Sequence, residues 1–194
     1  MSKPLTEMTL EELWQLFPIV LTEHRDVWAD WYAEECRALR PLLPEGTRVS
    51  HIGSTAIDGI RAKPIIDILA ELPEEAGLPA AADRLTRHGW LCMNTAPRRI
   101  DLNRGYTEAG FAERVFHLHL RLAGDHDELY FLRYLREHPD TAKAYETLKL
   151  SLWKRFEHDR DGYTNAKGDF VRRVTETAKA VYRADDAVNA GRAD

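Results

Sequence analysis

Cysteine is scarce in this chain. Cys36 and Cys92 stand far apart, and no Cys-x-x-Cys pair occurs. Such usage supports neither a disulfide framework nor a zinc ribbon, and a reducing cytoplasm is the expected compartment. No stretch reaches the roughly 18 uninterrupted apolar residues of a membrane span, so no membrane partner is expected. The residues after Met1 hold no long apolar run, and no secretory leader is expected. A surplus of positive charge is missing too: 27 Lys and Arg face 32 Asp and Glu, a net charge of -5. The overall field repels nucleic acid, which is therefore not an expected partner; any affinity for phosphate must be local. Internal repeats, low-complexity segments and a G-x-x-x-x-G-K-[ST] run are all absent, so neither a solenoid nor a kinase P-loop is expected.

What is present fits one domain. The 194 residues are 44% hydrophobic, enough for a core at this size. The expected unit covers residues 1–184, and the small, polar residues 185–194 are expected to form a disordered tail.

One stretch organises the rest: Val49-Ser50-His51-Ile52-Gly53-Ser54-Thr55, then residues 56–62, then Lys63-Pro64-Ile65-Ile66-Asp67-Ile68-Leu69. It reads as strand, turn, short helix, strand. Gly53 supplies backbone freedom and close approach to a ligand. Ser54 or Thr55 can cap the helix, whose first N–H groups would hold a phosphate. Residues 65–69 lack polar alternation and predict a strand buried on both faces. Asp67 is the one polar side chain there. A buried carboxylate costs several kcal/mol or more without a partner, so a metal ion or a basic group is expected beside it. His51 either reaches into the site or shapes the turn.

Gly-Ser followed about a dozen positions later by a strand Asp resembles the nucleotidyltransferase superfamily typified by DNA polymerase β. His51-Ile52-Gly53-Ser54-Thr55 with residues 62–69 resembles, more closely, the GrpB family within it. Val115-Phe116-His117-Leu118-His119-Leu120, Tyr134-Leu135-Arg136-Glu137-His138-Pro139 and residues 145–150 extend the resemblance. It implies a minimal nucleotidyltransferase fold, a nucleoside triphosphate site and Mg²⁺. Active transferases hold two Mg²⁺ ions with two strand carboxylates and a third on a later strand. Here Asp67 matches the second of the pair, Ile65 takes the place of the first, and the later strand carries His117 and His119.

That later strand shows the clearest alternation in the chain. Phe116, Leu118, Leu120 and Leu122 share one face; His117, His119 and Arg121 share the other. Three readings stand: a site face with Arg121 on phosphate, a His-x-His transition-metal site, or a solvated face. Asp67 and His119 are the candidate metal ligands. Toward the C-terminus, Lys149 follows Tyr145 by four positions, and Lys167 follows Tyr163 by four. Alone, each reads as a stem covering apolar surface with its charge turned outward. Two on adjacent helices, with Lys63 before the buried strand, read instead as cations for an anionic group.

Further elements follow from pattern. Thr9 and Glu12 form a capping box, and helices are expected at residues 25–39, 80–88, 126–138, 140–156 and 164–182. Strands are expected at residues 90–93 and 98–105, with residues 105–114 as a loop over the site. The expected fold is α/β (α+β), a mixed sheet of about five strands flanked by helices, with C-terminal helices closing one side. The expected function is transfer of a nucleotidyl group from a nucleoside triphosphate to a small acceptor. Gly53, Ser54 and Thr55 would hold phosphate, and Asp67 and Ser54 would serve catalysis. Lys63, His117, His119, Arg121, Lys149 and Lys167 would bind substrate. The alternatives are a non-catalytic binder of a nucleotide or other anionic metabolite, and a single-metal Asp/His site.

Overall fold

A computed structural model describes residues 3–73 and 77–190. Two helices lead in: α1 (Leu10–Leu16) and α2 (Val27–Leu39). The capping box of α1 forms as expected, with Glu12 N–H on Thr9 Oγ1 and Thr9 N–H on Glu12 Oε2. Then come β1 (Arg48–Ile52), β2 (Ile66–Leu72), α3 (Leu78–Thr86), β3 (Leu91–Ala96), β4 (Arg99–Thr107) and β5 (Gly110–Leu122). The C-terminal helices are α4 (Asp127–Glu137), α5 (Pro139–Trp153) and α6 (Arg160–Ala190).

The five strands form one mixed sheet in the order β1-β2-β5-β4-β3. β2 and β5 run parallel, and the other pairs are antiparallel. The mixed α/β class and the strand count are therefore as expected. One face is apolar: Ile66, Ile68, Ala70 and Leu72 of β2 lie beside Phe116, Leu118 and Leu120 of β5. Trp28, Trp31 and Leu39 from α2 and Leu78 and Leu85 from α3 cover that face. The aromatic residues of α2 are core, as their spacing implies. A second cluster joins Leu132 and Leu135 of α4, Tyr145 of α5 and Val174 of α6 to Ala56, Ile57 and Ile60. It pins the three C-terminal helices over the segment after β1.

Some expectations need correction. Residues 56–62 form no helix: after Gly53 comes a single 3₁₀ turn, Ser54–Ala56, without a side-chain cap. Apolar side chains at helical spacing mark burial here, while Gly59 sits at φ +72. The loop expected over residues 105–114 is strand, with a two-residue turn between Thr107 and Gly110 and a register shift at Arg104/Tyr106. Gly105 makes that irregularity possible: a Cβ there would lie 2.3 Å from the Arg114 carbonyl oxygen. In α6, Val181, which helical spacing puts on the apolar face with Val174 and Ala178, is exposed, and Tyr182 is buried in its place. The helix continues to Ala190, past the expected start of a tail, and residues 191–194 lie outside the described residues. The turn expected over residues 73–79 falls partly on residues 74–76, also outside them.

Candidate functional site

The polar face of the sheet is assembled by register. Asp67 on β2 lies beside His117 on β5, and Asp101 on β4 lies beside His119. Asp67 Oδ1 is 3.2 Å from His117 Nδ1 and 3.6 Å from His119 Nε2. The opposite ring nitrogens are engaged as well: His119 Nδ1 is 2.9 Å from Asp101 Oδ1, and His117 Nε2 is 2.8 Å from the Tyr106 hydroxyl. The buried carboxylate thus has the basic partners its position requires.

Electrostatics follow from this packing. Burial alone would raise the Asp67 carboxyl; the hydrogen bonds of His117 and His119 overcome it and hold the group well below the usual carboxylate range. His119 is half-buried, and this desolvation opposes its charge, but two carboxylates push it up to about 9. Burial wins at His117, which has one carboxylate neighbour and is shifted down. At neutral pH the arrangement is a neutral His117 and an imidazolium His119 around ionised Asp67 and Asp101.

Gly53 explains how the Asp67 carboxylate fits. Its φ is +72 and its ψ -173, and a Cβ built there would lie 2.3 Å from Asp67 Oδ2. The glycine is required by the carboxylate and the turn together.

Beside Asp67 lies a cavity of about 190 Å³, lined by Gly53, Ser54, Thr55, Lys63, Asp67, His117, Tyr145, Lys149, Tyr163 and Lys167, with Leu21 and Ile65. Most residues singled out in the sequence converge on it. Lys149 is only 2% exposed and its ammonium donates to the Arg61 carbonyl, so it turns inward. Burial, with neighbouring cations, pushes Lys63 and Lys149 down to about 7; burial pushes Lys167 down to about 8. Tyr163 lies under two of these cations, with Lys167 Nζ 4.3 Å and Lys63 Nζ 5.8 Å from its ring centre. Its hydroxyl is buried with no hydrogen-bond partner among the described residues. Burial also pushes the Tyr145 phenol up to about 12, against a hydrogen bond with Ser54.

Three expected residues stand elsewhere. Arg121 does not line the cavity. It is 5% exposed, and its guanidinium donates to Asp101 Oδ1 and to the Leu120 carbonyl, each at 2.9 Å. The site face ends before it, and Arg121 braces Asp101 instead of meeting phosphate. His119 reaches Asp67 from outside the cavity wall. His51 shapes the turn: it contacts Thr55 Oγ1 at 3.0 Å and stacks on Tyr32. Thr55 in turn donates to the Ile65 carbonyl at 3.2 Å, so its hydroxyl ties the turn to the strand rather than facing a ligand.

Sequence reasoning missed Asp101, Tyr106 and Tyr163 as site residues. Asp101 was readable: Ile100 and Leu102 face the core, which puts Asp101 on the histidine face. The Tyr163 signal is the Tyr-x-x-x-Lys spacing shared with Tyr145 and Lys149. Tyr106 gives no such signal, because it follows the irregularity at Gly105. Replacing Asp101 with Leu leaves the Arg121 guanidinium without its carboxylate and the His119 imidazolium with Asp67 alone. The expected cost is about 3 kcal/mol, read from the urea midpoint.

The comparisons agree with this fold. A family described as "GrpB protein" matches residues 18–177. A UPF0157 protein of Pseudomonas aeruginosa is 35% identical over 161 residues, covering 80% of this chain and 66% of that protein. The UPF0157 protein YqkA of Bacillus subtilis is 28% identical over 179 residues, covering 88% of this chain and 51% of the relative. The chain thus spans between half and two thirds of the length of these two relatives. The crystal structure of the conserved protein GrpB from Enterococcus faecalis superposes with a TM-score of 0.73 at 29% identity, covering 84% of this chain and 99% of that one. With the family pattern running across the sheet, the Gly53-Ser54 turn and the lysine-bearing helices, the chain belongs to the GrpB family.

Proposed function

We propose that the cavity takes the phosphate chain of a nucleoside triphosphate and that the reaction is transfer of its nucleotidyl group to a small acceptor. The observation that supports this is the convergence of Lys63, Lys149 and Lys167 on one cavity beside the Gly53-Ser54 turn. One buried and two half-buried ammonium groups that repel one another, with Asp67 as the acid among them, favour an anionic occupant. The unpartnered Tyr163 hydroxyl offers a donor, and Ser54 offers another. A volume of about 190 Å³ is below the roughly 300 Å³ at which pockets for whole drug-sized ligands begin. It suits a phosphate chain, with sugar and base toward the opening.

Magnesium, implied by the resemblance, fits poorly as a resident ion. It prefers oxygen ligands in an octahedron, whereas the facing donors are one carboxylate oxygen and two imidazole nitrogens. Mg²⁺ would accompany the nucleotide on its own phosphate oxygens. The chain's own residues neutralise the phosphates, donate hydroxyl hydrogen bonds and fix the chain against the turn.

A second reading, binding of an anionic metabolite or nucleotide without transfer, is favoured by Ile65, which stands where active transferases carry an acid. Calorimetric titration with ATP, GTP, CTP and UTP, with and without Mg²⁺, tests the site. Saturable binding is expected. Pyrophosphate release with a small acceptor would separate transfer from sensing, and no heat with any nucleotide would overturn the nucleotide site and leave another anionic metabolite as the occupant.

The pH dependence has a definite sign. An anion stabilises the protonated lysines and pulls their pKa values back up, so binding takes up protons above pH 7. Arg160 and Asp67 act on Lys63 and Lys167, and Glu146 acts on Lys149; Tyr145, Tyr163 and His117 complete the wall. Affinity for ATP is expected to fall at least tenfold from about pH 6.5 to about pH 9. Calorimetry in buffers of different ionisation enthalpy reads the proton uptake. Proton release on binding would contradict the lysine assignment.

A further inference from the structure

We propose that Asp67, His117 and His119 form a three-ligand site for one divalent transition-metal ion of the zinc type, with a fourth position open toward the lysine cavity. It goes beyond the phosphate assignment and does not depend on it.

The donor atoms are Asp67 Oδ1, His117 Nδ1 and His119 Nε2, all within 4.8 Å of one another. Zinc takes such ligands at about 2.0–2.1 Å, so two ligands of a tetrahedral ion lie about 3.3 Å apart. The distances from Asp67 Oδ1 to the two imidazole nitrogens are 3.2 and 3.6 Å. The carboxylate oxygen therefore stands near its bound spacing from both imidazole nitrogens before any ion arrives. Two imidazoles and one carboxylate with an open position is a donor set of catalytic zinc sites, and nitrogen ligands select transition metals over Mg²⁺.

The outer ring of partners carries the inference further. A metal-bound histidine donates its other N–H to a carboxylate, carbonyl or hydroxyl, which fixes its tautomer. Both histidines have that partner on the correct nitrogen: Asp101 on His119 Nδ1 and the Tyr106 hydroxyl on His117 Nε2. Arg121 and Arg160 hold those partners in place in turn, at 2.9 and 3.0 Å. In the absence of metal, the same Asp67 oxygen faces both imidazoles, so binding of the ion displaces one proton from the His119 imidazolium to solvent and leaves the single hydrogen of neutral His117 on Nε2, toward the Tyr106 hydroxyl. Asp67 and His117 line the cavity, and a phosphate oxygen of its occupant, or water, would take the fourth position.

The test strips the purified protein with chelator and titrates it with Zn²⁺ against a chromophoric chelator, and with Co²⁺ by visible absorption. Neither needs nucleotide, so failure here leaves the phosphate reading standing. Expected are one Zn²⁺ per chain, a Co²⁺ spectrum of tetrahedral intensity, and no displacement by millimolar Mg²⁺. His117→Ala and His119→Ala should each weaken Zn²⁺ binding at least 100-fold, and His88→Ala, in the exposed turn after α3 where the ring meets the Arg84 carbonyl, should not. Tyr106→Phe, which keeps the ring, should weaken it about tenfold through His117. Circular dichroism confirms folding, and His117→Gln and His119→Gln serve if an alanine variant unfolds. Absence of stoichiometric binding, variants that bind like the parent, or displacement by Mg²⁺ would each overturn the site.

Discussion

Gly53→Ala is expected to destabilise the protein by about 3 kcal/mol or more and to abolish ligand binding. Two costs combine. The backbone at φ +72, ψ -173 lies in a region that only glycine occupies readily, worth roughly 1–3 kcal/mol. The added methyl would also stand 2.3 Å from Asp67 Oδ2, inside any real contact distance. Oδ2 cannot retreat without pulling Oδ1 away from His117 and His119, so relief of the clash dismantles the ion network. For a domain of this size about 3 kcal/mol lowers Tm by about 6–12 °C. Gly59→Ala separates the two costs. Gly59 has the same φ of +72, and a methyl added there would meet nothing within 4 Å. It should lose the strain energy alone and keep its ligand. Thermal melts of both variants, beside nucleotide titrations, check this. Equal losses in the two would mean that close approach to Asp67 does not govern Gly53.

Much of the fold was legible because strand alternation and burial are local properties. The run from Phe116 to Leu122 displayed its two faces in the sequence, and the structure uses one for core and one for chemistry. The unbroken apolar run after Pro64 announced a central strand, and Asp67 within it announced partners. Register was not legible. Only pairing of β4 with β5 brings Asp101 to His119 and Arg121, so Arg121 looked available to phosphate when Asp101 already holds it. Two glycines misled. Gly105 and Gly110 suggested a loop, but one sits at a strand irregularity and the other begins β5. The apolar residues 56, 57 and 60 imitated helical spacing while answering to α4 and α5. Lys149 shows a subtler limit: an apolar stripe identifies a buried position, but not that the ammonium at its end turns toward the Arg61 carbonyl rather than toward water.

Asp67→Asn should change anion affinity in opposite directions depending on metal, and this follows from charge alone. In chelator, Asp67 is a negative group in the wall of a cavity that holds three lysines. Its repulsion of a phosphate at a few ångströms is worth about 1–3 kcal/mol at the dielectric of a partly buried site. Removing it should tighten nucleotide binding about tenfold. Two further effects oppose each other: His119 loses one of its two carboxylates and becomes easier to deprotonate, while the lysines lose an attractive partner. Both are smaller than the direct term, because the phosphate itself stabilises the cations. With Zn²⁺ present the order reverses. The parent protein then presents a bound dication to the phosphate, whereas Asp67→Asn loses its anionic ligand and, with it, the ion. Nucleotide affinity of the variant should fall at least tenfold below that of the Zn²⁺-loaded parent. Four titrations, parent and variant with chelator and with Zn²⁺, resolve the two signs. Tightening in chelator with weakening in Zn²⁺ supports a phosphate pocket joined to a metal centre. Tightening in both keeps the pocket and removes the metal from it. Weakening in chelator would mean that Asp67 serves the ligand directly, by accepting from a donor on the nucleotide.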